Sequence, residues 1–395
     1  MTPLLPVADA QARLFALAPR VGSERVPLAQ AAGRWAAEPV IARRAQPGAD
    51  LSSMDGYAIR FSDLPGPWRV IGESAAGRPF AGTVGPGEAV RIFTGAAMPE
   101  GADSVMVQEE ATREGNTLRL DGQGPPRIGM SVRRKGLDFD KGAVLVGAGA
   151  RLTPAAIALA ATGGHGELLV NRPLKLTILA TGDELVAPGT TSADPLALPE
   201  TNSPMLAAML ADLPLDVTLT GIVPDDLGAL TAAFAGADAD IVVATGGASV
   251  GDHDLVRPAI EAAGGRIDFW RIAIRPGKPM LAGTLGKGVV LGLPGNPVSA
   301  YVTAILFLRP LIAAMAGAVE PFPRTLAATL AEPLPANDHR QDYLRGTLAD
   351  GRVSVAAIQD SSMLATLARA TCLVVRRPHA PAAQAGDRVE ILPLA

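Results

Sequence analysis

Cysteine is nearly absent from this chain. Cys372 is the single one in 395 residues, which excludes an internal disulfide and any cysteine-rich metal site and fits a reducing compartment. Histidine is equally sparse, and His165, His253, His339 and His379 are scattered without ligand spacing, which argues against a histidine zinc site. Positive charge is not in excess: the net charge is -4, which argues against a nucleic-acid binder working by bulk attraction. Aromatics make up only 4% of a composition that is otherwise that of a soluble globular protein. At the N-terminus no basic region leads into an apolar core, and Asp9 interrupts the stretch, so no signal peptide is expected. The longest apolar stretch, Tyr301 to Val319, is broken by Arg309-Pro310 and is expected as a core helix, not a membrane span. These absences together predict a cytoplasmic protein with no nucleic-acid or membrane partner.

Glycine and proline, by contrast, are plentiful, and their placement divides the chain. A length of 395 residues exceeds one ordinary core. Val7, Ala10, Leu14 and Leu17 recur at helical spacing and predict a first helix. From about Arg43 to Gly149, turn residues separate short runs such as Trp68 to Ile71, Ala89 to Phe93 and Ser104 to Val107, the pattern of a mostly β domain. Thr153-Pro154 opens a helix that Gly163-Gly164 stops. After Pro173 strands alternate with helices: strands at Leu176 to Ala180, Val217 to Leu219, Ile241 to Ala244, Ile267 to Ile274 and Val289 to Leu291, with helices after Asn202, near Leu227 to Ala235 and near Leu255 to Ala263. Such alternation predicts a largely parallel sheet covered on both faces. Beyond about Ala318 the helical signal fades, and five short runs ending at Arg388 to Leu392 predict a small terminal β domain.

The stretch from Asp240 to Ser299 holds the densest site signal. Three apolar runs in it break into loops of Gly, Pro and small polar residues: at Thr245-Gly-Gly, at Arg275-Pro-Gly-Lys-Pro and at Leu293-Pro-Gly-Asn-Pro. Glycine there lets backbone N–H groups approach an anion, and a following helix adds its positive end. Ligands of open α/β sheets bind beyond the carboxyl ends of the strands, so these edges predict a floor for a phosphorylated ligand. Ala180-Thr-Gly-Asp-Glu184 repeats the pattern of Ala244-Thr-Gly-Gly and adds Asp183 and Glu184. Two readings stand for each such edge, a tight turn that needs Gly, or a site. Asp225 and Asp226 either cap a helix or supply carboxylates at a third edge, and Asp254 carries the same pair of readings. Acids among phosphate-cradling loops point to Mg²⁺, which takes oxygen ligands. Arg271, Arg275 and Lys278 flank prolines that stiffen their loop, a setting for anion binding. In the β region, Asp55-Gly56 is an ordinary turn signal, and Thr94-Gly95 and Arg133 to Asp138 place a hydroxyl, positive charge and a carboxylate in loops.

Six ordered motifs resemble one known family. They are Ser-Met-Asp-Gly-Tyr-Ala (53–58), Thr-Gly-Ala (94–96) before Pro-Glu-Gly-Ala-Asp, Thr-Gly-Asp-Glu-Leu (181–185), Gly-Gly-Ala-Ser-Val-Gly (246–251), Pro-Gly-Lys-Pro (276–279) and Leu-Pro-Gly-Asn-Pro-Val-Ser (293–299). Together they look like the molybdopterin molybdenumtransferase family, which includes MoeA and the gephyrin E-domain. The resemblance implies a multidomain α/β plus β protein with a central doubly wound, largely parallel molybdopterin-binding-like domain. Carried over, the units are a hinge from 1–43 and 140–172, an inserted mostly-β domain at 44–139, the α/β domain at 173–318 and a C-terminal β barrel at 319–395. It also implies a homodimer with each active cleft between subunits, and molybdopterin adenylyltransferase and apo-molybdoenzymes as candidate partners. The implied reaction takes adenylylated molybdopterin and molybdate, with Mg²⁺, to molybdenum cofactor and AMP. The site carried over by position has catalytic acids Asp55, Asp138, Glu184, Asp225 and Asp254, with Glu184, Asp225 and Asp254 on the metal. Substrate binding falls to Thr94, Thr181, Gly182, Asp183, Gly246, Gly247, Ser249, Arg271, Arg275, Lys278, Pro294, Gly295, Asn296, Pro297 and Ser299.

Four positions depart from the family pattern. Leu137 stands where a Glu is usual, Arg271 and Arg275 where some members carry Lys, and Glu200 where an Asp often precedes Thr-Asn. The alternatives are molybdopterin adenylyltransferase, which shares a similar α/β domain but usually lacks the Ser-Met-Asp-Gly-Tyr domain, and a non-catalytic molybdopterin-binding scaffold.

Overall fold

The computed structural model describes residues 4–192, 194–247 and 255–394. Its centre is a six-stranded sheet. The strands run in the order Leu215–Val223, Leu174–Thr181, Ile241–Thr245, Gly288–Leu293, Leu281–Leu285 and Arg266–Trp270. The first four are parallel, and Leu281–Leu285 is antiparallel to both its neighbours. Leu176, Ile178, Ile241, Val243, Val289 and Leu291 face one core, shared with the Val7–Leu17 helix, the Asn202–Leu210 helix and the long helix from Pro297 to Met315. Leu179, Val242, Ala244 and Val290 face the other, under helices Leu227–Ala235 and Val256–Ala262. Both faces being covered explains why these strands are continuous apolar runs without alternation. The doubly wound fold expected from the sequence is therefore present.

Two strand assignments differ from expectation. The run from Ile267 does not continue to Ile274: the strand ends at Trp270, and Arg271, at φ 72°, turns the chain away. Ile274–Arg275 then pairs in parallel with Gln341 and Asp342 of the C-terminal domain. The strand Leu281–Leu285, which contains Gly283, is additional to those expected from the sequence. That glycine is needed for close strand approach, since a Cβ there would lie 2.2 Å from the Arg266 carbonyl oxygen.

Three further bodies surround this sheet. Ser23–Pro27 pairs antiparallel with Glu167–Asn171, and Val40–Ile41 with Val144–Val146, around a core of Val26, Ala31, Val40, Leu152, Leu168 and Val170. Between those paired segments the chain builds a six-stranded sheet, which includes Gly56–Ile59, Glu88–Ile92 and Ser104–Val107 and has Trp68 and Met106 in its core. At the C-terminus Leu326–Leu330, Gln341–Ala349, Arg352–Val355, Cys372–Arg376 and Arg388–Pro393 form a barrel. Pairing of Gln341–Ala349 with Cys372–Arg376 closes it. The short helix Leu364–Arg369 within it was not foreseen.

Charge joins the hinge body to the central sheet. Arg151 and Arg309 both bind the Asp212 carboxylate, at 3.3 and 2.9 Å, and Arg151 also donates to the Gly33 carbonyl and lies over Trp35. The helix from Pro297 to Met315 is long and apolar enough, by length and composition, to cross a membrane, but 83% of its window is buried inside the protein. It is core, as expected. It passes through Pro310 by loosening into a π turn over Ala304–Leu308. Pro310 has no N–H to give to the carbonyl four residues earlier, that of Leu306. Gln11 of the first helix donates to that carbonyl instead, from Nε2 at 2.8 Å. Replacing Gln11 by Leu leaves the carbonyl without this donor and is expected to cost about 1–3 kcal/mol, the usual penalty of an unsatisfied buried acceptor. The loss is measured as a lower urea midpoint, and an unchanged midpoint refutes the account.

Candidate active site

Three neighbouring strands end together. Leu174–Thr181 runs into Gly182-Asp183-Glu184, Ile241–Thr245 into Gly246-Gly247, and Gly288–Leu293 into Pro294-Gly295-Asn296. The ends touch closely: a Cβ on Gly246, which has φ +96°, would lie 2.3 Å from the Thr181 carbonyl oxygen, and one on Gly295 would lie 3.3 Å from the Gly246 Cα. Glycine at 246 is thus fixed both by its left-handed backbone and by lack of room.

Carboxylates gather at the first of these edges. The buried Thr181 donates its hydroxyl to Asp225 Oδ1 at 2.5 Å, and the Asp225 N–H donates to Asp183 Oδ1 at 3.0 Å. Glu184 folds back over Gly182, where a Cβ would lie 2.8 Å from Glu184 Oε1. The two readings of the Asp225-Asp226 pair divide cleanly: Asp226 caps the following helix through the Ala229 N–H at 2.8 Å, while Asp225 faces Thr181. Glu200 is a cap as well, accepting the Ser203 N–H at 2.9 Å while 6% exposed. Ser249 and Asp254 lie outside the described residues. Among the described residues no group of three or more acidic, histidine or cysteine side chains converges tightly enough to hold a metal. The oxygens of Thr181, Asp183 and Asp225 are nonetheless hard ligands of the type that suits Mg²⁺.

On the third edge Pro294 is buried, Asn296 precedes the helix that Pro297 opens, and Ser299 is buried within its first turn. Asn202, read from sequence only as a helix start, donates from Nδ2 to the Gly295 carbonyl at 2.8 Å and so fastens this loop.

The three basic residues take different positions. Lys278 is exposed; its backbone carbonyl accepts the Ile272 N–H at 3.1 Å, and its ammonium has no hydrogen bond or ion pair among the described residues. Arg271 lies over the Trp270 ring at 4.6 Å, with its Nε buried and without a hydrogen-bond partner among the described residues. Arg275 is tied to the barrel: its Nε donates to both Asp342 oxygens at 3.0 Å, and Asn337 and Asp338 flank it. Asp338 also binds Arg340 at 2.9 Å. Sequence reading missed this barrel contribution entirely, because nothing in the spacing brings residues 337–342 next to 275.

The β-domain residues form a separate group. The Thr94 backbone N–H and hydroxyl donate to Asp55 Oδ1 at 2.7 and 2.9 Å and hold that partly exposed carboxyl below the usual carboxylate range, with Arg91 adding a smaller pull. Asp138 is exposed, and Leu137, in the usual place of a Glu, is 67% exposed beside it. No hydrogen bond or ion pair among the described residues links Asp55, Thr94 or Asp138 to the strand-end loops of the same chain. Among the described residues the structure brings Thr181, Asp183 and Asp225 together at the strand ends, pairs Asp55 with Thr94 in the β domain, and ties Arg275 to the barrel.

A doubly wound domain whose strand ends present glycine loops and acids, carried between a hinge-borne β domain and a terminal barrel, defines a molybdopterin-binding type of protein. Comparison with known proteins agrees along the whole chain. Residues 5–164 match the MoeA N-terminal region (domains I and II), 177–314 a probable molybdopterin binding domain, and 327–394 the MoeA C-terminal region (domain IV). The chain is 37% identical to molybdopterin molybdenumtransferase of Haemophilus influenzae over 94% of each protein. It is 35% identical to that of a Nostoc species, over 88% of this chain and 83% of the relative. A crystal structure of molybdopterin biosynthesis MoeA protein from Pyrococcus horikoshii OT3 superposes with a TM-score of 0.85 at 27% identity, covering 99% of this chain and 100% of that one. The chain belongs to the molybdopterin molybdenumtransferase (MoeA) family, whose members are transferases of molybdenum cofactor biosynthesis.

The Asp55–Thr94 pair gives a direct test. Two donors stabilise the ionised carboxylate, so Thr94→Val, which keeps the backbone N–H and removes the hydroxyl, is expected to move the Asp55 titration upward toward that of an ordinary aspartate. Carboxyl-carbon NMR across an acid titration reads this, and an unshifted curve contradicts the geometry.

Proposed function

We propose that this chain inserts molybdenum into adenylylated molybdopterin, Mg²⁺-dependently, releasing AMP. In this reaction the two dithiolene sulfurs bond to molybdenum as oxygen of molybdate leaves as water, and water takes up the AMP phosphoryl group as the phosphoanhydride bond is cleaved. The observation that carries the reading is the meeting of Thr181, Asp183 and Asp225 with Gly246 and Gly295 at the ends of three parallel strands. The glycine loops offer backbone N–H groups to the pterin phosphate, and Lys278 and Arg271 offer charge to molybdate oxygens, with Arg275 holding their loop against the barrel. Asp183, Glu184, Asp225 and Asp254 are the acids for Mg²⁺, which when bound offsets negative charge on the pyrophosphate being cleaved. We place the hinge, β, α/β and barrel units at 1–43 with 140–172, 44–139, 173–318 and 319–395; the hinge, β and barrel units each have a core of their own, while the Val7–Leu17 helix packs in the core of the α/β sheet.

A cleft shared between two subunits accounts for the separation of Asp55, Thr94 and Asp138 from the strand-end acids. Two exposed apolar surfaces support a homodimer. One is the open edge strand Leu215–Val223, with Val217 and Leu219 exposed. The other is the β-domain loop region bearing Met54, Ile128, Met130 and Leu137. We assign the protein to the cytoplasm, with molybdopterin adenylyltransferase supplying its substrate and apo-molybdoenzymes receiving its product.

The test is AMP release from adenylylated molybdopterin with and without molybdate and Mg²⁺. Molybdate-dependent release is expected, with Asp225→Asn slower by about a hundredfold, the scale of removing a charged group from such a site. Release that ignores molybdate sinks the reading. A subunit-mixing test addresses the shared cleft. Neither Asp55→Ala nor Asp225→Ala is expected to be active alone. Their re-assorted mixture is expected to recover about a quarter of the wild-type rate, because half the dimers are mixed and each mixed dimer has one intact cleft. A mixture as inactive as its parents places all the residues in one chain.

A further inference from the structure

The barrel contains a buried cation that forms no salt bridge among the described residues. Arg345, on the strand Gln341–Ala349, is 1% exposed, among the largest fully buried side chains of the protein. Its acceptors are amide oxygens: Nε donates to Gln359 Oε1 at 3.2 Å, and Nη1 donates to the carbonyls of Asp360 at 2.8 Å and Met363 at 3.4 Å. The Gln359 carboxamide returns the bond, donating to the Arg345 carbonyl at 3.0 Å and to that of Ala356 at 2.8 Å, while its oxygen also accepts the Arg345 N–H at 3.0 Å. Asp360 closes the segment on itself by accepting the N–H and hydroxyl of Ser362, at 2.8 and 2.6 Å. A buried guanidinium costs stability unless its donors are used, and here they are spent on one loop, Ala356 to Met363.

That loop shares a cavity with Arg275. Ala356, Ala357 and Gln359 line a cavity of about 450 Å³ together with Arg275, Asn337 and Asp342. The helix that follows, Leu364–Arg369, packs on the helix Pro297–Thr303 that leaves the Gly295-Asn296 loop. The segment from Ala356 to Arg369 therefore reaches from the cavity beside Arg275 to the helix that follows the third strand end. We infer that Arg345 is a positioning residue for the oxyanion end of the cleft: by pinning Gln359, Asp360 and Met363 it fixes the wall against which the Arg275 to Lys278 turn is held. The inference rests on the transferase reading above.

The experiment is molybdate and tungstate binding by calorimetry, with steady-state AMP release, for the full-length protein, Arg345→Met, Arg345→Lys and Gln359→Leu. Arg345→Met is expected to weaken molybdate binding and raise the KM for molybdate by about tenfold, the scale of losing one charged hydrogen bond. The KM for adenylylated molybdopterin is expected to stay near the wild-type value. Arg345→Lys, keeping charge but not the fork, is expected to restore part of the loss. If Arg345→Met does not fold, Gln359→Leu carries the test, and the same selective rise is expected. A rise in both KM values in step with a lowered melting temperature, or no rise in either, overturns the positioning role. Wild-type protein that neither binds molybdate nor releases AMP overturns the transferase reading itself, and the inference with it.

Discussion

The site depends on how closely three strand ends can be brought together. Parallel strands Leu174–Thr181, Ile241–Thr245 and Gly288–Leu293 are neighbours because their aliphatic side chains fill cores on both faces of the sheet. Once they are neighbours, the loops leaving them compete for one small volume. Gly246 settles that competition by having no side chain, so the Thr181 carbonyl and the Gly295 backbone can both lie against it. The carboxylates are then placed by bonds among themselves, from Thr181 to Asp225 and from Asp225 to Asp183. Their position follows from the backbone and does not rest on ordering long flexible side chains.

Much of this was legible in the sequence, because the signals were local. Thr153 and Pro154 mark a helix start by chemistry that acts within one turn, and the Thr153 hydroxyl does accept the Ala156 N–H. The parallel strands were visible as unbroken aliphatic runs. Asp225 and Asp226 were ambiguous for a physical reason: both stand where a cap is wanted, and only the three-dimensional neighbour, Thr181, separates them. Leu281–Leu285 was not among the strands expected, and its Gly283 is what lets two strands approach. The barrel side of the cleft was illegible, since Arg275 and Asp342 are 67 positions apart and no local pattern pairs them.

Arginine at 275 changes the character of its loop. Its fork reaches both oxygens of a nearly buried Asp342, with a second carboxylate, Asp338, beside it. A lysine ammonium makes a point contact and leaves direction free. The bidentate pair makes the Pro-Gly-Lys turn part of the barrel as much as of the α/β sheet, and the backbone pairing of Ile274–Arg275 with Gln341 and Asp342 runs through the same seam. Two domains that look separate in sequence thus share one wall.

The β domain is attached in the opposite manner. The chain enters and leaves it through paired segments of the hinge, Val40–Ile41 against Val144–Val146, and the hinge is referenced to the sheet through Asp212 and its two arginines. Asp55 and Thr94 are carried together on this arm. A rotation about Asp212 therefore moves the pair as one while the strand-end acids stay still, and the placing of that aspartate is set at the pivot.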